Sequence, residues 1–230
     1  MPFNTMKRVP MILTNLLADS LFSQILAIFE SSNKINSCNY QEILLSYNLL
    51  LNNSTDTLQS GFDIADDKIF RYYRHDIVIC EASITFCWDI RKLKKVISSK
   101  HLLPERLEVS KAYSVVDKSN IQAYKLKQVN SDPIIVGIVP FSHPSYLILD
   151  GNHRTAAYYL KKKNTIKAFI LKPDVHIHAM PLYFQRCFKI FSNIQHMLRY
   201  VQGLIPLSEF EDSFFDIENV SPAPPPEPQR

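Results

Sequence analysis

The chain has 230 residues, of which 46% are hydrophobic, and it carries a formal net charge of +4. This composition excludes a largely disordered chain, because it provides enough apolar side chains for a core. The four cysteines are irregularly spaced and match neither a disulfide framework nor a zinc motif, so we expect a cytoplasmic protein in a reducing compartment. No uninterrupted apolar run reaches about 18 residues, so we expect no membrane-spanning helix.

Residues 1–75 are predicted to form a helical N-terminal region. A second helix is predicted over Tyr40–Leu51, and a junction over the mixed, acidic stretch 61–75. Four apolar residues of the first helix recur at helical spacing, which predicts one buried face: Leu17, Leu21, Ile25 and Ile28.

Residues 76–175 are predicted to form an α+β domain. In chain order we expect one or two strands over 77–88, a basic helix over 90–98, a strand over 107–115 and a short helix over 120–127. A further strand, at Asp132–Val136, is expected from the family resemblance described below.

The most informative stretch of the chain comes next. An apolar run at Tyr146–Leu149 predicts a buried strand, Asp150–Arg154 break it, and a helix is predicted over Thr155–Leu160, followed by a strand over Ile166–Leu171. A turn that leads directly into a helix presents free backbone N–H groups and the positive end of the helix dipole. We therefore expect an anion site at this turn, with phosphate as the natural ligand.

The C-terminal part is predicted to be a helical segment over 176–218, with an aromatic helix over Phe184–Val201. His176 and His178 have strand-like spacing, but the sequence offers no third ligand, so we predict no metal site. Residues 219–230 are proline-rich and predicted to be a disordered, polyproline-type tail. The N-terminal helices and this tail are the candidate surfaces for a protein partner.

Positive charge is concentrated in the central region. Residues 86–175 contain 16 Lys and Arg against 7 Asp and Glu, a net +9, so the rest of the chain carries −5. This distribution favours an anionic ligand, although a solvated lysine-rich surface would produce the same imbalance. The three consecutive lysines 161–163 end the predicted helix, where cations suit its dipole, and they also leave nucleic-acid contact open.

The turn and its flanking strands resemble the ParB/sulfiredoxin superfamily, whose members have a strand, a short Gly- and Arg-containing turn and an alanine-rich helix. Asp150, Gly151, His153 and Arg154 match the Asp-Gly-x-His-Arg version found in free-serine kinases of this fold. The segment Asp132–Val136 resembles the Pro-Ile-x-Val strand that pairs with the motif strand as a hairpin. The resemblance covers roughly residues 82–173 and implies a small mixed sheet with helices, to which this chain adds helices at both ends.

The resemblance implies a nucleotide-phosphate-binding protein that uses ATP, ADP or CTP with Mg²⁺. It further implies an NTPase, or a kinase that transfers phosphate to a small-molecule hydroxyl acceptor. Asp150 and His153 are the candidate catalytic residues, and Glu105 and Glu108 correspond by approximate position to the relatives' base, with Glu108 the one we assign. The candidate nucleotide-binding residues are consecutive: Gly151, Asn152, His153, Arg154 and Thr155.

Each of these residues also has a structural interpretation. Asp150 could form an Asx turn, and Arg154 could pair with Asp150 to stiffen the turn. Asn152 and Thr155 could cap the helix instead of contacting a ligand.

Other functions remain open from the sequence. Sulfiredoxin chemistry is excluded, because it needs a thiolate at the turn and none of the four cysteines lies there. A DNA-associated partition or regulatory module switched by nucleotide is an alternative, although the sequence shows no helix-turn-helix after residue 173. His143-Pro144 followed by Asp150–Arg154 also resembles the signature of Fic nucleotidyl transferases, but the spacing differs and the preceding segment is strand-like. A non-catalytic interaction protein is the remaining alternative.

Overall fold

The computed structural model describes residues 15–31, 38–52, 72–79, 82–118, 121–142, 145–206, 209 and 214–217. Most of the predicted junction at 61–75, His143 of the Fic-like alternative and the proline-rich tail lie outside these residues. The described part is mixed α+β, with seven helices and two small sheets, as the sequence predicts. None of its helices is long and apolar enough to cross a lipid bilayer.

Besides the seven α-helices, the described residues form two short 3₁₀ helices. These lie at Ala123–Gln128 and Ile177–Ala179. The seven α-helices are α1 (Asn15–Glu30), α2 (Cys38–Asn52), α3 (Ile90–Ser99), α4 (Val109–Ser114), α5 (Asn152–Leu160), α6 (Pro173–His176) and α7 (Leu182–Val201).

The strands form a hairpin and a separate four-stranded sheet. They are β1 (Tyr72–Ile79), β2 (Ala82–Asp89), β3 (Glu105–Glu108), β4 (Ile134–Ile138), β5 (Tyr146–Asp150) and β6 (Thr165–Leu171). β1 and β2 pair with each other, and the second sheet has the order β3–β6–β4–β5. β4 is parallel to β6 and antiparallel to β5, so the expected β4–β5 hairpin is confirmed.

Both faces of the four-stranded sheet are covered, as the alternation of side chains along its strands requires. One face, with Ile134, Val136 and Ile148, packs against α4 and α5. The other face, with Ile135 and Leu149, belongs to a larger core that includes α1, α2, α7 and the hairpin. The site turn between β5 and α5 is therefore held from both sides of the sheet.

Two predictions about the helices need correction. On α1, Leu21 and Ile25 are buried as expected, but Ile28 is 41% exposed and Phe29 is buried instead, because the buried residues recur every four positions. The predicted strand over 107–115 is wrong: β3 ends at Glu108 and α4 begins at Val109. Val109 and Ala112 are both buried, since the i, i+3 spacing places them together against the sheet.

The predicted strand-like pairing of His176 and His178 is also wrong. The two residues lie in consecutive helical pieces, with His176 fully buried and His178 exposed. The imidazole of His176 accepts a hydrogen bond from Trp88 Nε1 at Nδ1 (3.1 Å) and contacts the Ile138 carbonyl through Nε2 (2.7 Å). Nε2 therefore carries the proton, and one neutral imidazole joins the β1–β2 hairpin to the four-stranded sheet.

Helix α7 also holds a short stretch of chain that follows it. Asn193 is fully buried, accepts a hydrogen bond from Phe215 N (2.8 Å) and donates to Phe215 O (2.9 Å). Its amide also donates to the hydroxyl of Tyr47 on α2 (2.9 Å), and burial raises the pKa of that tyrosine to about 12. A single side chain thus joins three segments, and the expected core face of α7, including Phe188, is buried beside it.

Burial lowers the pKa of His176 to about 4, against a weaker opposite effect of the Ile138 carbonyl and of Asp174. The unfolded chain protonates this histidine near its ordinary pKa of 6.5, so stability should be lost as the pH falls from about 6.5 to 4. The shift corresponds to roughly 3 kcal/mol. We expect urea unfolding at a series of pH values to show this loss, and His176→Gln, which keeps a donor and an acceptor, to show a clearly smaller one. An identical pH dependence in both proteins would contradict the prediction.

Candidate functional site

The turn from β5 into α5 is built around Gly151. Its backbone is left-handed, with φ +108° and ψ 18°, and the helix begins at the next residue, three residues before the predicted start. A Cβ at this position would lie 2.5 Å from Ile134 Cγ2 on the neighbouring strand. Conformation and space therefore both require glycine here.

The N-terminus of α5 receives no side-chain cap from its own N-cap residue, because that residue is Gly151. Thr155 is completely buried, and both its backbone N–H (2.9 Å) and its hydroxyl (3.1 Å) bond to the Gly151 carbonyl. The N-cap is thus Gly151 and Thr155 lies inside the helix, so the capping roles considered for Asn152 and Thr155 are both wrong. The amides of the first turn, at residues 152–154, are the groups that this turn can offer to an anion.

Asn152 and His153 hold a neighbouring loop against the turn. Asn152 Oδ1 accepts from Asp117 N (3.1 Å), and its Nδ2 donates to Ile148 O (3.3 Å). His153 Nε2 accepts from Gln122 N (3.2 Å), so the proton of its neutral ring is on Nδ1. These contacts bring the stretch between α4 and β4 over the start of α5.

Arg154 connects the turn to the start of β4. Its Nη1 donates to the carbonyls of Asp132 (2.9 Å) and Pro133 (2.7 Å), and its Nη2 lies 3.9 Å from Asp150 Oδ2. The side chain is only 12% exposed. The guanidinium is thus already used to fix the backbone, and direct contact with a ligand anion remains a prediction.

Asp150 connects the turn to the basic helix α3. Lys94 Nζ lies 3.1 Å from Asp150 Oδ2, and the carboxylate side chain is 27% exposed. The buried carboxylate of Asp89 caps α3, which begins at the next residue and presents Arg91, Lys92 and Lys95 to solvent. A basic helix therefore borders the turn and contacts it through Lys94.

These residues surround an open cleft of about 370 Å³, here called the N-terminal cleft because it lies at the N-terminus of α5. Its volume falls in the range typical of small-molecule sites, roughly 300–1,000 Å³. Five of the six predicted site residues of the turn line it, Thr155 being the exception. The lining residues are Lys125, Val129, Asn130, Asp150, Gly151, Asn152, His153 and Arg154.

The electrostatics of the N-terminal cleft suit an anion. The pKa of His153 is lowered, first because partial burial disfavours the imidazolium and second because Lys125 is close. Burial is the larger of these two causes, and the smaller one shows that the charge of Lys125 reaches the imidazole. A phosphate in the cleft would offset that charge.

Glu108 does not join this site. It ends β3 and lines a second cleft, of about 630 Å³, beyond the C-terminus of α5, which we call the C-terminal cleft. The two ends of the nine-residue α5 are about 12 Å apart. A hydrogen bond from Ser110 and the charge of Lys111, 3.5 Å away, hold the pKa of Glu108 low. Its predicted role as base lacks a geometric connection to the turn.

Sequence reasoning missed Lys125 and Asn130, which line the N-terminal cleft. Both lie at least twenty residues before the motif, and neither belongs to a recognisable spacing pattern. The one available signal was local: Asn130 begins the polar turn before Pro133, and Lys125 lies in the short helix that precedes it. Contact between these residues and the motif depends on the long-range bonds of Arg154 and His153.

The cleft offers few protein ligands to a Mg²⁺ ion. This is compatible with a magnesium nucleotide, because Mg²⁺ usually takes one or two protein ligands and several phosphate oxygens. Among the described residues that line the cleft, Asp150 is the only carboxylate, and Asn130 offers an amide oxygen. No group of three or more His, Cys, Asp or Glu side chains in the described part of the chain could hold a metal ion.

No protein-family model, curated protein or solved structure matches this chain. The roles discussed for the N-terminal cleft therefore rest on the geometry and chemistry of the residues themselves.

Gly151→Ala should destabilise the protein by about 2–4 kcal/mol, because it adds left-handed strain to a clash with Ile134. Gly203→Ala is a matched control: Gly203 also has a positive φ, +71°, but it is exposed after α7. We expect the control to lose only about 1 kcal/mol in chemical unfolding. Equal losses for the two variants would show that the contact with Ile134 does not constrain the turn.

Proposed function

We propose that this chain is a nucleotide-phosphate-binding protein of the ParB/sulfiredoxin type, and that the N-terminal cleft holds the phosphates. The observation that carries the proposal is the start of α5: a helix whose N-cap is glycine opens onto a cleft of about 370 Å³ that also contains Lys125 and His153. Backbone amides and a helix dipole that converge with two basic side chains are a recurrent way of binding phosphate.

The order of elements supports the assignment to this superfamily. The strand β4, with its Pro-Ile-x-Val sequence, pairs with the motif strand β5 as a hairpin, and the turn, the helix α5 and β6 follow. Because β5 and β6 flank β4, the helix packs across one face of the sheet and its N-terminus lies at the sheet edge where β5 ends. This is where ligands bind in many sheet-and-helix folds.

The proposed roles follow from the contacts of each residue. The amides of residues 152–154 donate to phosphate oxygens, and Lys125 supplies charge. His153 donates through Nδ1 while its Nε2 stays bonded to Gln122. Arg154 positions the site from behind, by fixing Asp132 and Pro133, rather than by contacting phosphate itself.

Binding is better supported by the geometry than phosphoryl transfer. Glu108 lies in the other cleft, so Asp150 would have to serve as the base for a hydroxyl acceptor, and it is ion-paired to Lys94. With a magnesium nucleotide, Asp150 and Asn130 are the residues that would hold the ion, which offsets phosphate charge when bound. An NTPase or kinase therefore requires Asp150, whereas binding alone does not.

Calorimetric titration with ATP, ADP and CTP, each with Mg²⁺, tests the proposal. We expect at least one nucleotide to bind, and Lys125→Gln to weaken that binding by about tenfold, since it removes one charge-assisted contact. Lys127→Gln is the matched control, because Lys127 is exposed on the same 3₁₀ helix but does not line the cleft. Arg154→Ala is unsuitable for this purpose, since it also removes fold contacts.

Absence of binding for all three nucleotides would overturn the phosphate assignment. Equal weakening by Lys125→Gln and Lys127→Gln would reduce the interaction to general electrostatics. Asp150→Asn separates nucleotide binding alone from catalysis, when it is titrated in the same way and also assayed for nucleotide turnover. Loss of turnover with retained binding would assign catalysis to Asp150.

The pKa of His153 gives an independent prediction. In the free protein it lies below the ordinary 6.5 because of partial burial and Lys125. A bound phosphate stabilises the imidazolium, so saturating nucleotide should raise this pKa, as measured by NMR titration of the ring protons. Lys125→Gln should raise it even without nucleotide. A pKa that is insensitive to nucleotide, in a protein shown to bind one, would place the phosphates elsewhere.

A further inference from the structure

An aromatic stack borders the C-terminal cleft, at the opposite end of α5, and one of its two rings is exposed there. The rings of Tyr113 and Tyr159 are parallel, with centroids 3.8 Å apart and planes within 3°. Lys118 Nζ covers the far side of Tyr113, 5.3 Å from its centroid. Tyr159 is 45% exposed and lines the cleft, and Tyr113 covers only one face of its ring, which leaves the side chain accessible to another planar group.

Apolar surface next to this ring is also exposed. Leu160 lines the same cleft and is 65% exposed, and Val109 lies in its buried floor. Two large side chains at the end of a short helix thus remain in contact with solvent, although the other face of α5 is well packed. A flat, partly apolar ligand would cover them.

The lysines at the end of α5 lie beside this aromatic surface. Lys162 and Lys163 line the cleft, and within the part of the chain that the structure describes neither makes an ion pair. The one acidic lining residue, Glu108, is compensated by Lys111 and Ser110. The cleft therefore combines uncompensated positive charge with a stacking surface.

The backbone of Lys162 shows that this lysine is not needed to end the helix. Its φ is +52°, in the left-handed region that glycine normally occupies after a helix. The last carbonyls are bonded by backbone N–H groups: Lys162 N to Tyr159 O (2.9 Å) and Lys163 N to Tyr158 O (3.0 Å). Capping requires no lysine side chain here. The chain thus has a lysine with a strained backbone at a position where glycine would fit better, and backbone strain of this kind is concentrated at functional sites.

We propose that the C-terminal cleft binds single-stranded nucleic acid. An unpaired base stacks on the exposed ring of Tyr159, and the adjoining phosphates contact Lys162 and Lys163. A basic surface with stacking aromatic side chains is the usual means of holding single strands without sequence preference. A duplex cannot supply the same contact, because its bases are stacked on each other. This site is separate from the proposed phosphate site, and neither proposal depends on the other.

Fluorescence anisotropy of labelled ten-nucleotide dT and dA strands with the full chain tests the proposal. We expect binding of both strands at low salt, at least about fivefold weaker in Tyr159→Ala, since one stacking contact is lost. The decisive variant is Lys162→Gly, which removes the cation and relieves the positive φ. The thermal midpoint of this variant should equal or exceed that of the parent chain. Its affinity for the strands should fall, and the magnitude of the negative slope of log K against log salt should become smaller by about 0.7.

Lys95→Gln is the matched control, since Lys95 is also an exposed lysine, lies on α3 and lines neither cleft. It should leave the affinity within about twofold of the parent chain, the margin expected for a charge outside the site. The proposal is overturned if neither strand binds, if Lys95→Gln and Lys162→Gly weaken binding equally, or if a duplex of the same length binds as tightly as the single strand. Displacement of the strand by dTMP at an equal nucleotide concentration would also overturn it, because the cleft would then be a site for free nucleotide.

Discussion

The neutral imidazole of His176 is the contact on which the arrangement of the two sheets depends. Its Nδ1 accepts a hydrogen bond from the indole N–H of Trp88 on the hairpin, and its Nε2–H donates one to the carbonyl of Ile138 on the four-stranded sheet. The ring also packs edge-on against Phe188 of α7, with centroids 5.1 Å apart. Loss of either hydrogen bond would leave a buried polar group unpaired at the centre of the larger core, which costs far more than the bond itself contributes.

The same imidazole also lies close to the site strands. A Cβ on Gly137 would lie 2.7 Å from Leu149 Cδ1 and 3.3 Å from His176 Cδ2, so β4 has little room for a side chain where β5 and the histidine meet. One residue after Leu149 the chain reaches Asp150, and then Gly151, which again approaches β4 too closely for a side chain. At Gly151 the turn consequently lies in direct contact with Ile134 of β4. Its amides are fixed before any ligand arrives, which lowers the entropic cost of binding.

Local patterns in the sequence predicted the motif turn and most helices, because each depends on neighbours a few residues apart, whereas the β4–β5 hairpin was expected from the family resemblance. The helix over Val109–Ser114 was missed, since Val109 and the following Val115 and Val116 also fit a strand and only packing against the sheet decides between the two. The partners of the site were also out of reach. Arg154 was expected to meet an anion but bonds Asp132 and Pro133, more than twenty residues away, and only the folded chain shows this use. Whether the turn binds a phosphate stays a prediction.

Helix α5 gives the two clefts opposite requirements from one physical cause. Its aligned peptide dipoles place partial positive charge at the N-terminus and partial negative charge at the C-terminus. At the first end, the dipole and the backbone amides themselves attract an anion, so a single basic residue such as Lys125 is sufficient. At the second end the dipole opposes an anion, so a site for one needs added cations and a contact that is independent of charge. In the proposed single-strand site, Lys162 and Lys163 would supply the cations, and the exposed ring of Tyr159 would supply the contact that is independent of charge.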